Sequence, residues 1–275
     1  MSVMNIKKLC FVGGDKRMQV AADRFEKDGY NVSRYAMAGS RHGEEQLLVC
    51  DAVILPLPCT FDGETVYAPY SAETVTLFDL QQIAETRPVL CGGEMKGTER
   101  FINYFDDALQ TMNAVPTAEA AIAIAIDHTD RALMQCRALI IGGGRIAKAL
   151  ALRLKAFGTD VTVAARKASD RAFFESISCK ACAISDIKSI LKANDMIFNT
   201  VPARIFDSSY ADHVIASIPL IELASSPYCI TASDARECGF DYIKAPGLPG
   251  KYFYITAGEA IYKRLNELIE REHII

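Results

Sequence analysis

The chain has no surplus of positive charge, no long apolar run and no grouped set of metal ligands, and each absence closes off a class of function. Its 30 lysines and arginines are outnumbered by 34 aspartates and glutamates, giving a formal charge of -4 and a pI near 5.7. That balance leaves no electrostatic footprint for DNA or RNA and no basic cluster to hold an anionic membrane. No segment approaches the roughly 18 consecutive apolar residues of a membrane span. The first apolar stretch, Leu9 to Val12, meets Gly13-Gly14 too soon for a signal sequence, so a cytoplasmic protein is expected. The nine cysteines are scattered and odd in number, and Cys10 and Cys91 lie in apolar runs where a thiol acts as a small hydrophobe. Cys179-Lys180-Ala181-Cys182 has the spacing of a redox pair or half a zinc site. It lacks a second pair, and His42, His128, His213 and His273 have no ligand spacing to it, so it reads as structural and no metal is expected.

What is present is an alternation of short β-branched segments with helix-like ones from end to end, the pattern of a parallel α/β fold. In the first half, strands are expected at Leu9–Val12, Asn31–Tyr35, Val53–Leu55 and Val89–Cys91. In the second they fall at Ala138–Ile141, Asp160–Ala164, Lys180–Ala183, Met196–Asn199, Pro219–Glu222 and Tyr242–Lys244. With 275 residues, half of them apolar, there is room for two doubly wound parallel-sheet domains. The division expected is an N-terminal α/β domain over 1–115, a joining helix over 116–134, a dinucleotide-binding domain over 135–256 and a final helix over 257–275. The Ala/Ile alternation from Ala121 to Ile126 would suit a strand by period two. Pro116 and Thr117 as start signals, the alanines and the first-turn Glu119 favour a helix instead, one buried on most sides. Ile261, Leu265, Leu268 and Ile269 stand at helical spacing in the last segment, which is expected to return to the first domain.

The sharpest local signal is Arg137-Ala138-Leu139-Ile140-Ile141-Gly142-Gly143-Gly144-Arg145-Ile146-Ala147: a buried strand, G-x-G-x-x-A, then a helix. In a Rossmann domain, Gly142 makes the tight turn, Gly144 lets a pyrophosphate approach the backbone, and Ala147 lets helix and strand pack closely. Arg145 and Ile146 open the helix, whose free N–H groups and positive dipole end face the phosphates. The next strand ends in Ala165-Arg166-Lys167, where an NAD enzyme usually carries an acid for the ribose 2′-hydroxyl. Two cations there favour NADP over NAD, although solvated loop cations would look the same. Thr200, Val201 and Pro202 after the fourth strand, and Ser225 after the fifth, stand at strand ends where the cofactor is expected.

Several segments together resemble the family of dipicolinate synthase A subunits over almost the whole chain. They are Val12-Gly13-Gly14-Asp15-Lys16-Arg17, Ile54-Leu55-Pro56-Leu57-Pro58, Pro116-Thr117-Ala118-Glu119, Ile126-Asp127-His128-Thr129-Asp130, the glycine fingerprint, Ala245-Pro246-Gly247-Leu248-Pro249-Gly250 and Thr256-Ala257-Gly258. The resemblance implies a protein that works with a flavoprotein-like B subunit in spore-forming bacteria. The pair would oxidise dihydrodipicolinate, or its hydrated precursor, to pyridine-2,6-dicarboxylate with NAD(P). The family often carries an Arg after the fifth strand of the second domain, whereas Ser225-Ser226-Pro227-Tyr228 has none here.

A dicarboxylate substrate calls for cations or N–H groups. Lys16 and Arg17, at a strand-to-helix turn, are the substrate-binding candidates, with Thr117; a surface helix start capped by Asp15 is the plainer account. His128 and Glu119 are the acid/base candidates, against a helix-end histidine and an ordinary first-turn acid. Two further readings stay open: another two-domain NAD(P) dehydrogenase of an amino or hydroxy acid, and a dinucleotide-binding partner subunit without turnover. A homo-oligomer is compatible with either.

Overall fold

The computed structural model describes residues 7–40, 43–93 and 99–271; His42 and His273 lie outside them. Two compact units divide the chain, Met1–Asn113 with Phe253–Ile275, and Ala114–Tyr252. The first begins β1 Lys8–Val12, α1 Lys16–Lys27, β2 Asn31–Tyr35, β3 Ala52–Ile54, α2 Leu77–Ile83, β4 Val89–Cys91 and β5 Ile102–Asn103, and helix α3, Asp107–Asp127, carries the chain onward. The second holds β6 Arg137–Ile141, α4 Arg145–Ala156, β7 Asp160–Ala164, α5 Ala168–Ser176, β8 Lys180–Cys182, α6 Ile187–Ile190, β9 Met196–Asn199, β10 Ile218–Glu222, α7 Ala232–Cys238, β11 Phe240–Lys244 and α8 Leu248–Tyr252. Helix α9, Tyr254–Arg271, closes the described chain.

Both sheets are parallel among the described residues, with orders β2-β1-β3-β4-β5 and β11-β10-β9-β6-β7-β8. The second is the doubly wound order of a dinucleotide-binding domain, its direction reversing between β6 and β9. Because helices cover both faces, the central strands are mostly apolar and deeply covered; β3, β4, β9 and β10 are buried at every position. β5, two residues long, carries too short a pattern to stand out in the sequence.

Helix α9 belongs to the first unit by packing. Ile261, Leu265, Leu268 and Ile269 join the core formed by Phe11, Met18, Ala21 and Phe25, and Tyr262 meets Phe25 edge-on at 5.0 Å. A Cβ on Gly258 would stand 2.6 Å from the Arg17 carbonyl oxygen, so the small residues Ala257 and Gly258 let α9 lie close on α1.

The joining helix corrects two expectations. It starts at Asp107, with Pro116 inside it, because Asp106 Oδ1 accepts from Ala108 and Leu109 N–H (both 3.1 Å) and caps the helix well before the proline. Pro116 withholds one backbone donor without ending the run. From Ala114 to Ala125 only Val115 and Glu119 are exposed, so this stretch is buried on most sides as expected, while Ile126 beyond it is 49% exposed. The helix ends at Asp127 rather than reaching 134, and the unit boundaries fall at 113/114 and 252/253 instead of 115 and 256. Cys179 and Cys182 are free thiols raised above the ordinary range by burial, which disfavours the reactive thiolate.

Candidate nucleotide site

The turn after β6 is built to receive a ligand. Gly142 has φ +120°, and its N–H donates to the Ala164 carbonyl at 2.9 Å; a Cβ there would stand 2.1 Å from Thr200 Oγ1. Thr200 is fixed beneath it, both its N–H (2.9 Å) and its hydroxyl (2.8 Å) donating to the Ile141 carbonyl. At Gly144 the space for a Cβ is open, and no side chain caps α4. The first-turn amides of α4, around Arg145 and Ile146, thus have a clear approach for an anion.

Beside this turn lies a cavity of about 410 Å³, walled by Gly142, Gly143, Val201, Pro202, Ala203, Ile184 and Ile205, with Arg166, Lys167 and Asp170. It sits at the carboxyl ends of the strands where the sheet order reverses, the position at which open α/β sheets bind ligands. Its aliphatic walls suit a flat ring. Arg166 and Lys167 are exposed and form no side-chain hydrogen bond or ion pair with the described residues. The backbone beneath them is held by Arg171, whose Nη1 donates to the Ala165 and Arg166 carbonyls (both 2.9 Å). Ser225 lies in the exposed loop after β10, outside the cavity wall.

Two buried polar residues that sequence reasoning passed over shape the far wall. Asn199 Nδ2 donates to Glu222 Oε1 (2.6 Å) and the Val201 carbonyl (2.9 Å), and its Oδ1 accepts from Val201 N–H (3.2 Å). Glu222 also accepts from Ala224 N–H (3.1 Å), Cys229 N–H (2.8 Å) and Tyr242 hydroxyl (3.5 Å). Burial, then the Glu222 carboxylate, raises the Tyr242 hydroxyl above its ordinary range. An acid ending an apolar strand was the available signal. Asp170 was missed as well: it reaches the cavity from the first turn of α5.

The acid/base and substrate candidates are placed elsewhere. His128 follows α3, and its Nδ1 is 2.7 Å from Asp241 Oδ2, near the amino end of β11. The chain enters β6 from that side, whereas the glycine turn follows its other end, a strand of about 16 Å away. Glu119 accepts from Arg153 Nε at 3.0 Å, about 12 Å along α4 from its N-terminus. Neither residue lines the cavity. Thr117 is buried within α3. In the first unit, Asp15 caps α1 by accepting from Arg17 N–H (3.0 Å), and Arg17 Nε and Nη2 bind the same carboxylate at 2.8–3.1 Å. Nη2 also donates to the Leu57 carbonyl, which leaves Arg17 as an internal brace, 10% exposed. The turn before it is filled, since a Cβ on Gly13 would meet the Tyr67 carbonyl oxygen at 2.7 Å. Lys16 is exposed, its ammonium 5.3 Å from the Tyr254 ring centre.

Comparison with known proteins matches both halves of the chain. The family described as the N-terminal domain of the dipicolinate synthase A subunit matches residues 8–104. That described as D-isomer specific 2-hydroxyacid dehydrogenase, NAD binding domain, matches residues 98–207. The dipicolinate synthase A subunit of Bacillus subtilis (strain 168) is 24% identical over 95% of each chain. The crystal structure of the Bacillus halodurans dipicolinate synthase A subunit superposes with a TM-score of 0.86 at 25% identity, covering 96% of this chain and 98% of that one. The corresponding Bacillus subtilis structure gives 0.85 at 24% identity, over 98% and 99%.

Proposed function

Because the chain belongs to the family of dipicolinate synthase A subunits, we propose that it is the NADP-dependent dehydrogenase that oxidises dihydrodipicolinate, or its hydrated precursor, to dipicolinate beside a B subunit. The observation that carries this reading is the open glycine turn joined to a cavity rimmed by two cations that have no partner among the described residues. Gly144 and the α4 amides would take the pyrophosphate, Ile184, Val201 and Ile205 would flank the adenine, and Arg166 and Lys167 would meet a 2′-phosphate. The bound nicotinamide would supply the acceptor for a hydride from the dihydropyridine ring, and a proton leaves as the ring becomes aromatic; from the hydrated precursor, a molecule of water is lost before that step. Because that step is downhill, the chain's task is mainly to hold the reactants in register. Asn199 and Glu222 serve it by fixing the turn through Pro202. No helix among the described residues is long and apolar enough to cross a membrane.

One observation favours a second reading, a dinucleotide-binding partner subunit without turnover: neither His128 nor Glu119 lines the cavity. The deciding experiment supplies freshly generated dihydrodipicolinate precursor with NADP⁺ or NAD⁺, with and without the B subunit, and follows reduced nicotinamide and pyridine-2,6-dicarboxylate. Coupled formation of both with NADP⁺ supports the dehydrogenase. NADP⁺ binding without either product in any mixture supports the partner.

A further inference from the structure

Three charged side chains line the nucleotide cavity, and one has the wrong sign for a site that merely collects phosphate. Asp170 stands directly over Gly143: a Cβ built there would lie 2.5 Å from Asp170 Oδ2 and 2.7 Å from its Cβ. Its carboxylate thus fills the volume that a side chain at the middle position of the glycine turn would take. Gly143 has no positive φ that would itself require glycine, so what the glycine provides at this position is room for the acid.

The placement is held from several sides. Lys148 of α4 lies 4.7 Å from the Phe173 ring centre on α5, tying the two helices together just past their first turns. Arg171, the next residue, is spent on the carbonyls of Ala165 and Arg166. The Asp170 side chain forms no hydrogen bond or ion pair with the described residues. An acid in a helix's first turn is favoured by the dipole wherever it points, but this one faces the cavity wall between Gly143 and the two cations.

Resting on the dinucleotide reading, we infer that Asp170 is the residue that discriminates between the cofactors, by accepting a hydrogen bond from the adenosine ribose hydroxyls and opposing a 2′-phosphate that Arg166 and Lys167 attract. A carboxylate acceptor suits a ribose diol; the same charge beside a phosphomonoester is repulsive. The preference is therefore a balance, and removing one side tips it. The acid absent from the end of β7 is supplied by the next helix, and the site admits NAD as well as NADP.

The test is calorimetric titration of the intact protein with NADP⁺, NAD⁺, adenosine 2′,5′-bisphosphate and AMP. Asp170→Asn is expected to raise the ratio of NADP⁺ to NAD⁺ affinity by about tenfold, the scale of one charge-assisted contact. Gly143→Ala, which displaces the carboxylate, should shift the ratio the same way, and Arg166→Gln should lower it. The bisphosphate should follow NADP⁺, and AMP should follow NAD⁺. A ratio in Asp170→Asn within twofold of the parent overturns the inference, as does equal weakening of both dinucleotides. If the parent binds neither dinucleotide, the site reading fails and this inference with it. If Arg166→Gln leaves NADP⁺ affinity unchanged while Asp170→Asn shifts the ratio, the role given to Arg166 fails and that of Asp170 stands.

Discussion

Asn199 and Glu222 end neighbouring strands β9 and β10 and are joined by a 2.6 Å hydrogen bond, neither residue more than 1% exposed. Glu222 gathers donors from four residues, and one of them, Asn199, sets the turn that walls the cavity. Removing the acid leaves one N–H of the Asn199 amide and the Ala224 and Cys229 N–H groups without an acceptor. Glu222→Ala is expected to lower stability by about 3 kcal/mol and to weaken dinucleotide binding. Glu222→Gln should fall between, because its N–H₂ turns a donor toward a donor. Urea denaturation measures both, and full stability in the Gln variant would remove the carboxylate from this role.

Gly142 and Gly144 should fail in different ways. Ala at 142 adopts a positive φ and drives its Cβ into Thr200, so a loss of about 2 kcal/mol or more is expected together with loss of binding. Gly144 has φ -82° and open space, so Gly144→Ala should fold as well as the parent. Its methyl nonetheless stands where a pyrophosphate must approach, and NADP⁺ affinity should drop at least about tenfold. A pair of melting curves and titrations separates the two.

His128→Ala is expected to leave turnover and cofactor affinity within twofold of the parent. Its bond to Asp241 is partly exposed, so the stability change should stay below about 1 kcal/mol. A hundredfold loss of turnover would return His128 to the chemistry and contradict its placement at the far edge of the sheet.

Asp15→Ala leaves the nearly buried Arg17 guanidinium with only the Leu57 carbonyl, and a loss of about 2 kcal/mol or more is expected. Any fall in activity in Arg17 variants should then track unfolded fraction rather than substrate KM. A raised KM in a fully folded Arg17→Lys protein would reverse that assignment.

Asp62 offers a test in pH. Its carboxylate accepts from the Thr65 hydroxyl and N–H, the Glu64 N–H and the Thr60 hydroxyl, which hold it below its ordinary value of 3.8. A group depressed on folding adds stability above its unfolded value and loses it as pH falls through the folded one. The 60–65 turn should therefore hold near neutrality and loosen only in acid, and Asp62→Asn should abolish that acid limb. Carboxyl chemical shifts followed by NMR report both.

The strands and the glycine turn were legible because their signals are local: unbroken β-branched runs, and glycine where a turn and a phosphate need it. Asp170 was not, since it reaches Gly143 only through the way α5 folds back on α4. Pro116 misled because a good start residue does not outweigh an aspartate capping the helix upstream. The position of His128 was in fact readable: a residue just ahead of β6 belongs to the edge where that strand begins, opposite the glycines.

The return of α9 to α1 has a consequence for the order of synthesis. The first unit's core includes Ile261, Leu265, Leu268 and Ile269, whose burial contributes roughly 2 kcal/mol apiece. On the ribosome, strands β1 to β5 emerge before the second unit yet wait for a helix made after it, while the unbroken run from Ala114 to Tyr252 has all its parts earlier. The nucleotide-binding half can therefore be complete, and already able to take up its ligand, while the half made before it still exposes the seat of α9.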